Sequence, residues 1–178
     1  MNICVFCGSA TGNNPVYADA ARELGSLFAK FSHTLVYGGG NIGLMGILAD
    51  TIINNEGEVI GVIPDFLLQR EVGHRGVSRV EVVESMHMRK KRMADLSQAF
   101  IAMPGGWGTL DELAEILTWR QLGLISQPIG LLNINNFFDP LIAQMRSMVD
   151  QGFLKEDNLQ LLHIENSPEK LLSRLFPA

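Results

Sequence analysis

The sequence predicts an α/β fold: a Rossmann-like, doubly wound parallel sheet of about seven strands, with helices on both faces. Short apolar runs recur along the chain, and helix-like stretches lie between them. Alternation at this spacing is typical of βαβ units, whose parallel sheet is covered on both faces. Because the chain has no repeat, low-complexity tract or long linker, we expect a single domain over residues 1–178.

The predicted strands and helices follow one another in a regular order. The apolar runs predicted to form strands are residues 2–7, 33–37, 58–63, 79–83, 98–103, 128–132 and 160–164. The predicted helices are residues 15–30, 43–55, 86–96, 109–121, 137–151 and 168–175. The least regular segment, 64–78, is expected to form a loop over the edge of the sheet. Ligands of parallel sheets bind beyond the carboxyl ends of the strands, so the loops that follow the strands should form the site.

Composition and charge restrict the classes of function. Of the 178 residues, 47% are hydrophobic and 19% are charged, as is ordinary for a soluble α/β protein. The formal net charge of −5 argues against binding nucleic acid through a broadly basic surface. No apolar run approaches the ~20 residues of a membrane span, and no secretory signal opens the chain. We therefore expect a cytoplasmic protein with neither a nucleic-acid nor a membrane partner.

Cys4 and Cys7 form a C-x-x-C pattern inside the first predicted strand. Residues three apart on a strand lie ~10 Å apart and face opposite ways, too far for a disulfide. A zinc site would need a second pair of ligands, and none is obvious in the sequence. We expect two reduced structural thiols and no metal.

The most informative segment runs from Met103 to Glu112, with the sequence MPGGWGTLDE. It joins a predicted strand to a predicted helix through a glycine-rich corner. Such a corner leaves backbone N–H groups free, and the helix dipole adds a positive field at the same point. The segment therefore predicts that the protein binds a phosphorylated small molecule.

The start of this predicted helix can be interpreted in two ways. Thr109 and Glu112 form a T-x-x-E capping box, which would give both a structural role. Asp111 and Glu115 place further carboxylates beside the predicted anion site, which is costly unless the carboxylates face a cation. The residues alone therefore leave capping and function equally open for Glu112.

A second glycine-rich stretch, Gly38 to Gly43, satisfies the G-x-G-x-x-G pattern after a strand and before a helix. Alone, the pattern would suggest a dinucleotide fold. It lies in the second βα unit, however, and no clear acidic residue ends the next strand. A tight turn with close strand–helix packing and a mononucleotide site both explain it better than a dinucleotide site.

A basic run, Met86 to Arg92, opens another predicted helix. Cations oppose the dipole at a helix start, so they are better placed where an anion or carboxylate lies opposite. Arg89 could thus meet both Glu112 and the bound phosphate. His87 could be a general acid, although a structural role is favoured for a lone histidine there.

Together these motifs resemble the LOG family, cytokinin riboside 5′-monophosphate phosphoribohydrolases long mislabelled as lysine decarboxylases. The resemblance covers nearly the whole chain. The matching blocks are Pro104-Gly105-Gly106-x-Gly108-Thr109-x-x-Glu112, Met86-x-x-Arg89-Lys90, Tyr37 to Gly46, Cys7-Gly8-Ser9, and Thr118-Trp119-x-Gln121-Leu122-Gly123. Departures are small: Asp111 stands where many members have glutamate, and Ala10 where many have serine.

The resemblance implies hydrolysis of the N-glycosidic bond of a nucleoside 5′-monophosphate, which releases the base and ribose 5-phosphate. It implies no metal or organic cofactor, and a homodimer with active sites near the subunit interface. The family's catalytic arginine and glutamate fall on Arg89 and Glu112. The expected substrate-binding residues are Gly8, Ser9, Gly39, Gly40, Glu71, Met86, Lys90, Gly105, Gly106, Trp107, Gly108, Thr109, Asp111, Glu115 and Thr118.

Two other classes of function are weaker. A non-catalytic nucleotide carrier would not need the carboxylate of Glu112, and an NAD-linked oxidoreductase rests only on the glycine pattern. Lysine decarboxylation normally needs pyridoxal phosphate, for which this short chain offers no cofactor domain. The preferred base stays open, between plain and prenylated adenine. Met86, Met88, Trp119 and Leu122 could line an apolar base pocket, although core or dimer contacts are favoured for them.

Overall fold

Seven parallel strands form one sheet in the computed structural model, which describes residues 1–68, 74 and 76–177. The strands are β1 (Asn2–Phe6), β2 (Thr34–Tyr37), β3 (Val59–Pro64), β4 (Arg79–Val83), β5 (Ala99–Ala102), β6 (Ile129–Leu132) and β7 (Leu162–Glu165). The helices are α1 (Pro15–Lys30), α2 (Gly43–Asn54), α3 (Asp65–Leu68), α4 (Met86–Leu96), α5 (Trp107–Gln121), α6 (Asp139–Asp150), α7 (Glu156–Leu159) and α8 (Pro168–Leu175), with a 3₁₀ turn at Ile134–Asn136. The predicted fold class is confirmed.

The strand order, β4-β3-β2-β1-β5-β6-β7, contains one reversal of direction. The chain runs outward from β1 to β4, and α4 then carries it back to β5 on the other side of β1. Ligands of open α/β sheets bind where the order reverses, beyond the carboxyl ends of the strands. Phe6 of β1 pairs in register with Ala102 of β5, so the loops after these two strands lie side by side. Gly8 N donates to Pro104 O at 3.1 Å and joins the loops directly.

Two apolar layers hold the sheet between its helices. On one face, Leu24 of α1 and Leu48 of α2 pack over Ile3 of β1. On the other face, Met93 of α4 and Leu113 of α5 pack over the strand side chains that point to that face. Because both faces are covered, the central strands are apolar along their whole length rather than alternating.

The two cysteines fall on opposite faces of β1 and the loop that follows it. Cys4 packs among the side chains under α4 and α5, whereas Cys7 packs under α1 and α2. Both are buried and free, which confirms the expected unpaired thiols. Within the described part of the chain, no cluster of three metal-ligating side chains occurs, and no helix is long and apolar enough to cross a membrane.

Apart from shifts of one or two residues at the ends of other elements, three features differ from the prediction. Helix α5 begins at Trp107 rather than at residue 109, because Gly106 occupies the cap position. Thr109 is therefore the third helical residue, and the interpretation of Thr109 and Glu112 as a capping box is wrong. The segment 64–78, predicted to be a loop, contains α3, and α7 forms where no helix was predicted. Helices of four residues are too short to produce a periodic apolar pattern.

Helix α2 meets the loop after β1 at very short range. Leu44 N and Met45 N both donate to Gly8 O, at 3.0 and 3.3 Å, so Gly8 O caps this helix. Gly43 has φ +64°, and a Cβ built there would collide with the backbone of Ser9. The contact fixes α2 against the loop that borders the site.

We expect Gly43→Ala to destabilise the fold more than Gly152→Ala. Gly152 also has a left-handed φ, +78°, but has open space around it, so its substitution costs only the backbone strain of ~1 kcal/mol. Gly43→Ala adds overpacking against Ser9, about 1–3 kcal/mol more. Urea denaturation measures both free energies of unfolding; equal losses would show that the contact with Ser9 is unimportant.

Candidate active site

A cavity of about 220 Å³ opens at the point where the strand order reverses. The loops after β1, β2 and β5 meet there with the first turns of α4 and α5. The lining residues are Val5, Cys7, Gly8, Ser9, Gly38, Met45, Leu67, Met86, Arg89, Gly106, Trp107, Gly108, Thr109, Asp111 and Glu112. Cationic, acidic and backbone polar groups thus converge on one space.

The N terminus of α5 forms one wall of this cavity. Gly106 caps the helix without a side-chain hydrogen bond, and no acceptor among the described residues takes the N–H of Trp107, Gly108 or Thr109. Space is open around Gly106 and Gly108, where a Cβ would meet nothing within 4 Å. Free N–H groups at the positive end of a helix bind anions, so this wall suits a phosphate.

Arg89 of α4 and Glu112 of α5 both line the cavity, and their side chains lie next to each other. Ser85 Oγ accepts from Met88 N and caps α4, which places Arg89 at the end of its first turn. Arg89 Nη2 lies 3.5 Å from Glu112 Oε1, and the side chains are only 11% and 10% exposed. Within the described structure, the buried Nε of Arg89 has no partner. The guanidinium therefore pairs with the carboxylate while one of its buried donors is left without a partner.

Burial raises the pKa of Glu112 to about 7, even though the nearby Arg89 guanidinium acts to lower it. The neighbouring carboxylates of Asp111 and Glu115 raise the pKa further, and the Lys90 ammonium opposes them. A carboxyl group with its pKa near neutrality can change protonation during a reaction at physiological pH. Such a perturbed group in a cleft is typical of catalytic sites.

Gly38 provides the surface against which the Arg89 guanidinium lies. A Cβ at Gly38 would collide with Arg89 Nη2. The neighbouring Gly39 and Gly40 are buried behind the cavity and do not line it. Since Gly8 O already takes the first N–H groups of α2, these contacts favour the tight-turn interpretation of the second glycine-rich stretch.

Some of the residues predicted to bind substrate lie outside the cavity. Gly105 packs against Thr109 Oγ1 and Gly8 N. Lys90 Nζ and Glu115 pair with each other at 3.2 Å, and neither is among the residues that line the cavity. Thr118 Oγ1 donates to the backbone O of Ala114, one turn earlier in α5. Glu71 lies outside the described residues.

Most of the residues considered for acid catalysis and for an apolar base pocket lie outside the cavity. His87 is exposed on α4 and does not reach the cavity. Of the four residues considered for an apolar base pocket, only Met86 lines the cavity; Met88, Trp119 and Leu122 lie elsewhere.

Gly38, in a loop that follows a strand, was expected near the site from the rule that ligands bind after parallel strands, and it lines the cavity. Sequence reasoning missed four lining residues: Val5, Cys7, Met45 and Leu67. Cys7 directly follows β1, so the same rule could have found it. Leu67 belongs to the short helix α3, which gives no sequence signal.

Comparison with known proteins shows relatives over most of the chain. A family model described as possible lysine decarboxylase matches residues 45–175. A cytokinin riboside 5′-monophosphate phosphoribohydrolase from Oryza sativa subsp. japonica is 45% identical over 97% of this chain and 72% of the relative. The enzyme of the same name from Arabidopsis thaliana is 44% identical over 97% of this chain and 81% of the relative.

Among solved structures, the molybdenum cofactor binding protein of Rippkaea orientalis has a TM-score of 0.70 at 23% identity, covering 97% of this chain and 92% of that one. At this identity the likeness shows the fold alone. The family model and the more similar relatives both extend over most of the chain, and the range matched by the family model includes positions 86–90 and 104–112. The chain therefore belongs to the LOG family, whose family model carries the description possible lysine decarboxylase.

Proposed function

We propose that this protein hydrolyses the N-glycosidic bond of cytokinin riboside 5′-monophosphates, of AMP, or of both, giving free base and ribose 5-phosphate. One observation carries the proposal: the shielded Arg89–Glu112 pair, at 3.5 Å, shares a cavity with the uncapped N terminus of α5. Relatives 44% and 45% identical are named for this activity.

The N–H groups of Trp107, Gly108 and Thr109 would hold the 5′-phosphate. Glu112 lies five residues beyond Trp107, or about 7.5 Å along the helix axis, which is the scale of a ribose ring and its 5′-methylene group. The phosphate would thus be bound at a distance from the bond that breaks. Binding energy from this remote group would place the sugar against Glu112.

Glu112 would act on the ribose at C1′. Cleavage of the bond between C1′ and the base nitrogen builds positive charge on the sugar, in an oxocarbenium-like transition state. The Glu112 carboxylate would stabilise that charge or take a proton from the attacking water, whose oxygen bonds to C1′. Arg89 would orient the carboxylate and contact the nucleotide through its remaining donors. The departing base takes up a proton, and the proposed mechanism uses no metal or organic cofactor.

A non-catalytic carrier would not require this arrangement. Binding of a phosphate alone is served by the α5 N terminus, and a buried carboxylate beside it only adds repulsion. The Arg89–Glu112 pair therefore favours the hydrolase over the carrier.

We also propose that residues 1–178 act as one domain in a cytoplasmic homodimer with active sites near the interface. Trp107, which lines the cavity, is 88% exposed, and Leu122 and Leu124, after the other end of α5, are 64% and 68% exposed. Exposed apolar surface of this kind commonly marks protein interfaces. The two free buried cysteines are compatible with a reducing compartment. Light scattering of the purified protein would test the dimer.

We expect Glu112→Gln to lower kcat for base release at least about 100-fold, because the amide cannot stabilise the cation or accept a proton. KM should change less than about threefold, since the phosphate contacts remain. Release of adenine from AMP measures both. Glu23→Gln, on the exposed side of α1, is the matched control and should behave like the wild type. An active Glu112→Gln variant would remove the carboxylate from the mechanism.

We expect kcat/KM to rise with pH and level off above the Glu112 pKa of about 7. The carboxylate is the active form, and below that pKa the neutral acid replaces it, so activity should fall about tenfold per pH unit. The phosphate group of the nucleotide has a pKa of ~6 of its own. The pH profile of the residual activity of Glu112→Gln therefore serves as the comparison. The loss of activity at low pH that is due to Glu112 should be absent from that variant. An unchanged pH profile would assign the loss to another group.

We expect Gly38→Ala to lower kcat about tenfold or more, because the new methyl group displaces the Arg89 guanidinium. The displaced atoms are the far end of a flexible side chain, but moving them weakens the shielded pair with Glu112, so the free energy of unfolding should also fall, by up to about 3 kcal/mol. In an Arg89→Ala background, Gly38→Ala should cause no further loss of kcat. Additive losses would show that Gly38 acts independently of Arg89.

A further inference from the structure

The cavity has a polar side and an apolar side. Among the described lining residues, the carboxyl and guanidinium side chains belong to α4 and α5, and they are Arg89, Asp111 and Glu112. The free N–H groups of the first turn of α5 lie on the same side. The lining side chains from β1, α2 and α3 are apolar, and they are Val5, Met45 and Leu67. The cavity therefore offers one side to a charged group and the other to an uncharged group.

The two halves of a nucleoside 5′-monophosphate differ in the same way. The phosphate carries between one and two negative charges at neutral pH, whereas an adenine base is uncharged. With the phosphate on the α5 N terminus and C1′ at Glu112, the sugar phosphate lies along the polar side. The base is then left to the apolar side. The charge-assisted contacts therefore belong to the half of the nucleotide that becomes ribose 5-phosphate.

Hydrolysis leaves these contacts in place. The phosphate still accepts from the N–H groups of Trp107, Gly108 and Thr109. The attacking water becomes a hydroxyl group on C1, beside Glu112, where it can donate a charge-assisted hydrogen bond to the carboxylate. The nitrogen that joins the base to C1′ in the nucleotide has no proton to donate there. Ribose 5-phosphate thus keeps the polar contacts of the substrate and gains one more.

The free base is in the opposite position. Once the bond to C1′ is broken, it is no longer held by the anchored phosphate and keeps only the contacts of the apolar side. Apolar contacts of so small a molecule must offset its whole loss of translational and rotational freedom, which is costly. The base therefore has far less reason than the sugar phosphate to stay.

We propose that ribose 5-phosphate stays in the site after the base has left, and that it inhibits the enzyme by competing with the nucleotide. This deepens the proposed function by naming the regulation of the same site, and it rests on that function for its kinetic consequence. The base leaves first and does not compete with the nucleotide. The rate of base release then falls where ribose 5-phosphate accumulates, and is little affected where the free base accumulates.

Product inhibition is the first test, with AMP labelled in the base so that unlabelled adenine can be added. Ribose 5-phosphate should raise the apparent KM for AMP without changing kcat, with an inhibition constant within about threefold of that KM. D-ribose, which lacks the phosphate, is the matched control and should not inhibit at the same concentration. Adenine should leave the apparent KM within about twofold. If adenine raised the KM as strongly as ribose 5-phosphate, the proposal would be wrong.

A pair of variants at Trp107 isolates the phosphate contact. Proline is favoured at the first position of a helix and has no N–H group. Gly106, which precedes it, lies outside the helical region at φ −100° and ψ −149°, as the residue before a proline should. Trp107→Ala loses the same indole ring but keeps the N–H group. Relative to Trp107→Ala, Trp107→Pro should weaken the binding of ribose 5-phosphate and raise the KM for AMP, each about tenfold. Equal values for the two variants would contradict the proposed contact.

Calorimetric titration with ribose 5-phosphate does not depend on activity. If the wild type released no base, the proposed function would fail, while binding of ribose 5-phosphate without binding of adenine would still support the retention. The dissociation constant for AMP, measured on Glu112→Gln, provides the scale. Ribose 5-phosphate that bound the wild type more than about tenfold more weakly than this would overturn the retention, active enzyme or not. Should Trp107→Pro not fold, ribose and ribose 5-phosphate are compared on the wild type, where equal affinities would contradict the proposal.

Discussion

The candidate site depends on a single contact, the pairing of Arg89 with Glu112 where α4 meets α5. A carboxylate that is about nine-tenths shielded from water is strongly destabilised unless a cation lies close to it. The topology supplies that cation. Helix α4 is the connection that returns the chain from β4 across the sheet to β5, and α5 starts directly after β5. The reversal of strand order therefore brings the two charges together.

The two glycine-rich corners have different roles in the structure. The first turn of α2 donates its N–H groups to Gly8 O and thereby builds the wall of the site. The first turn of α5 leaves the N–H groups of Trp107 and its neighbours without acceptors from the described residues. One helix N terminus thus stabilises the protein, and the other remains available for an anion. The glycine pattern alone could not separate these roles, because it describes the turn and not the partner of the N–H groups.

Most of the sheet could be predicted from the sequence, because strands buried on both faces give continuous apolar runs such as Ile3 to Phe6. The pairing of Arg89 with Glu112 was also expected, because both lie at the starts of helices that follow strands on the ligand side of the sheet, and from the family resemblance. The start of α5 was not, because Gly106 caps the helix through its backbone and leaves no side-chain signal. The surroundings of Lys90 and the close approach of Gly38 to Arg89 depend on how α4 lies across the sheet, which local sequence does not encode.

The proposed site is tested most directly by a crystal structure of Glu112→Gln with AMP bound. The phosphate oxygens should accept from the N–H groups of Trp107, Gly108 and Thr109, with C1′ beside the side chain at position 112. The Arg89 guanidinium should lie between that side chain and the nucleotide. A phosphate bound at the first turn of α2, or a glycosidic bond far from position 112, would contradict the proposed site.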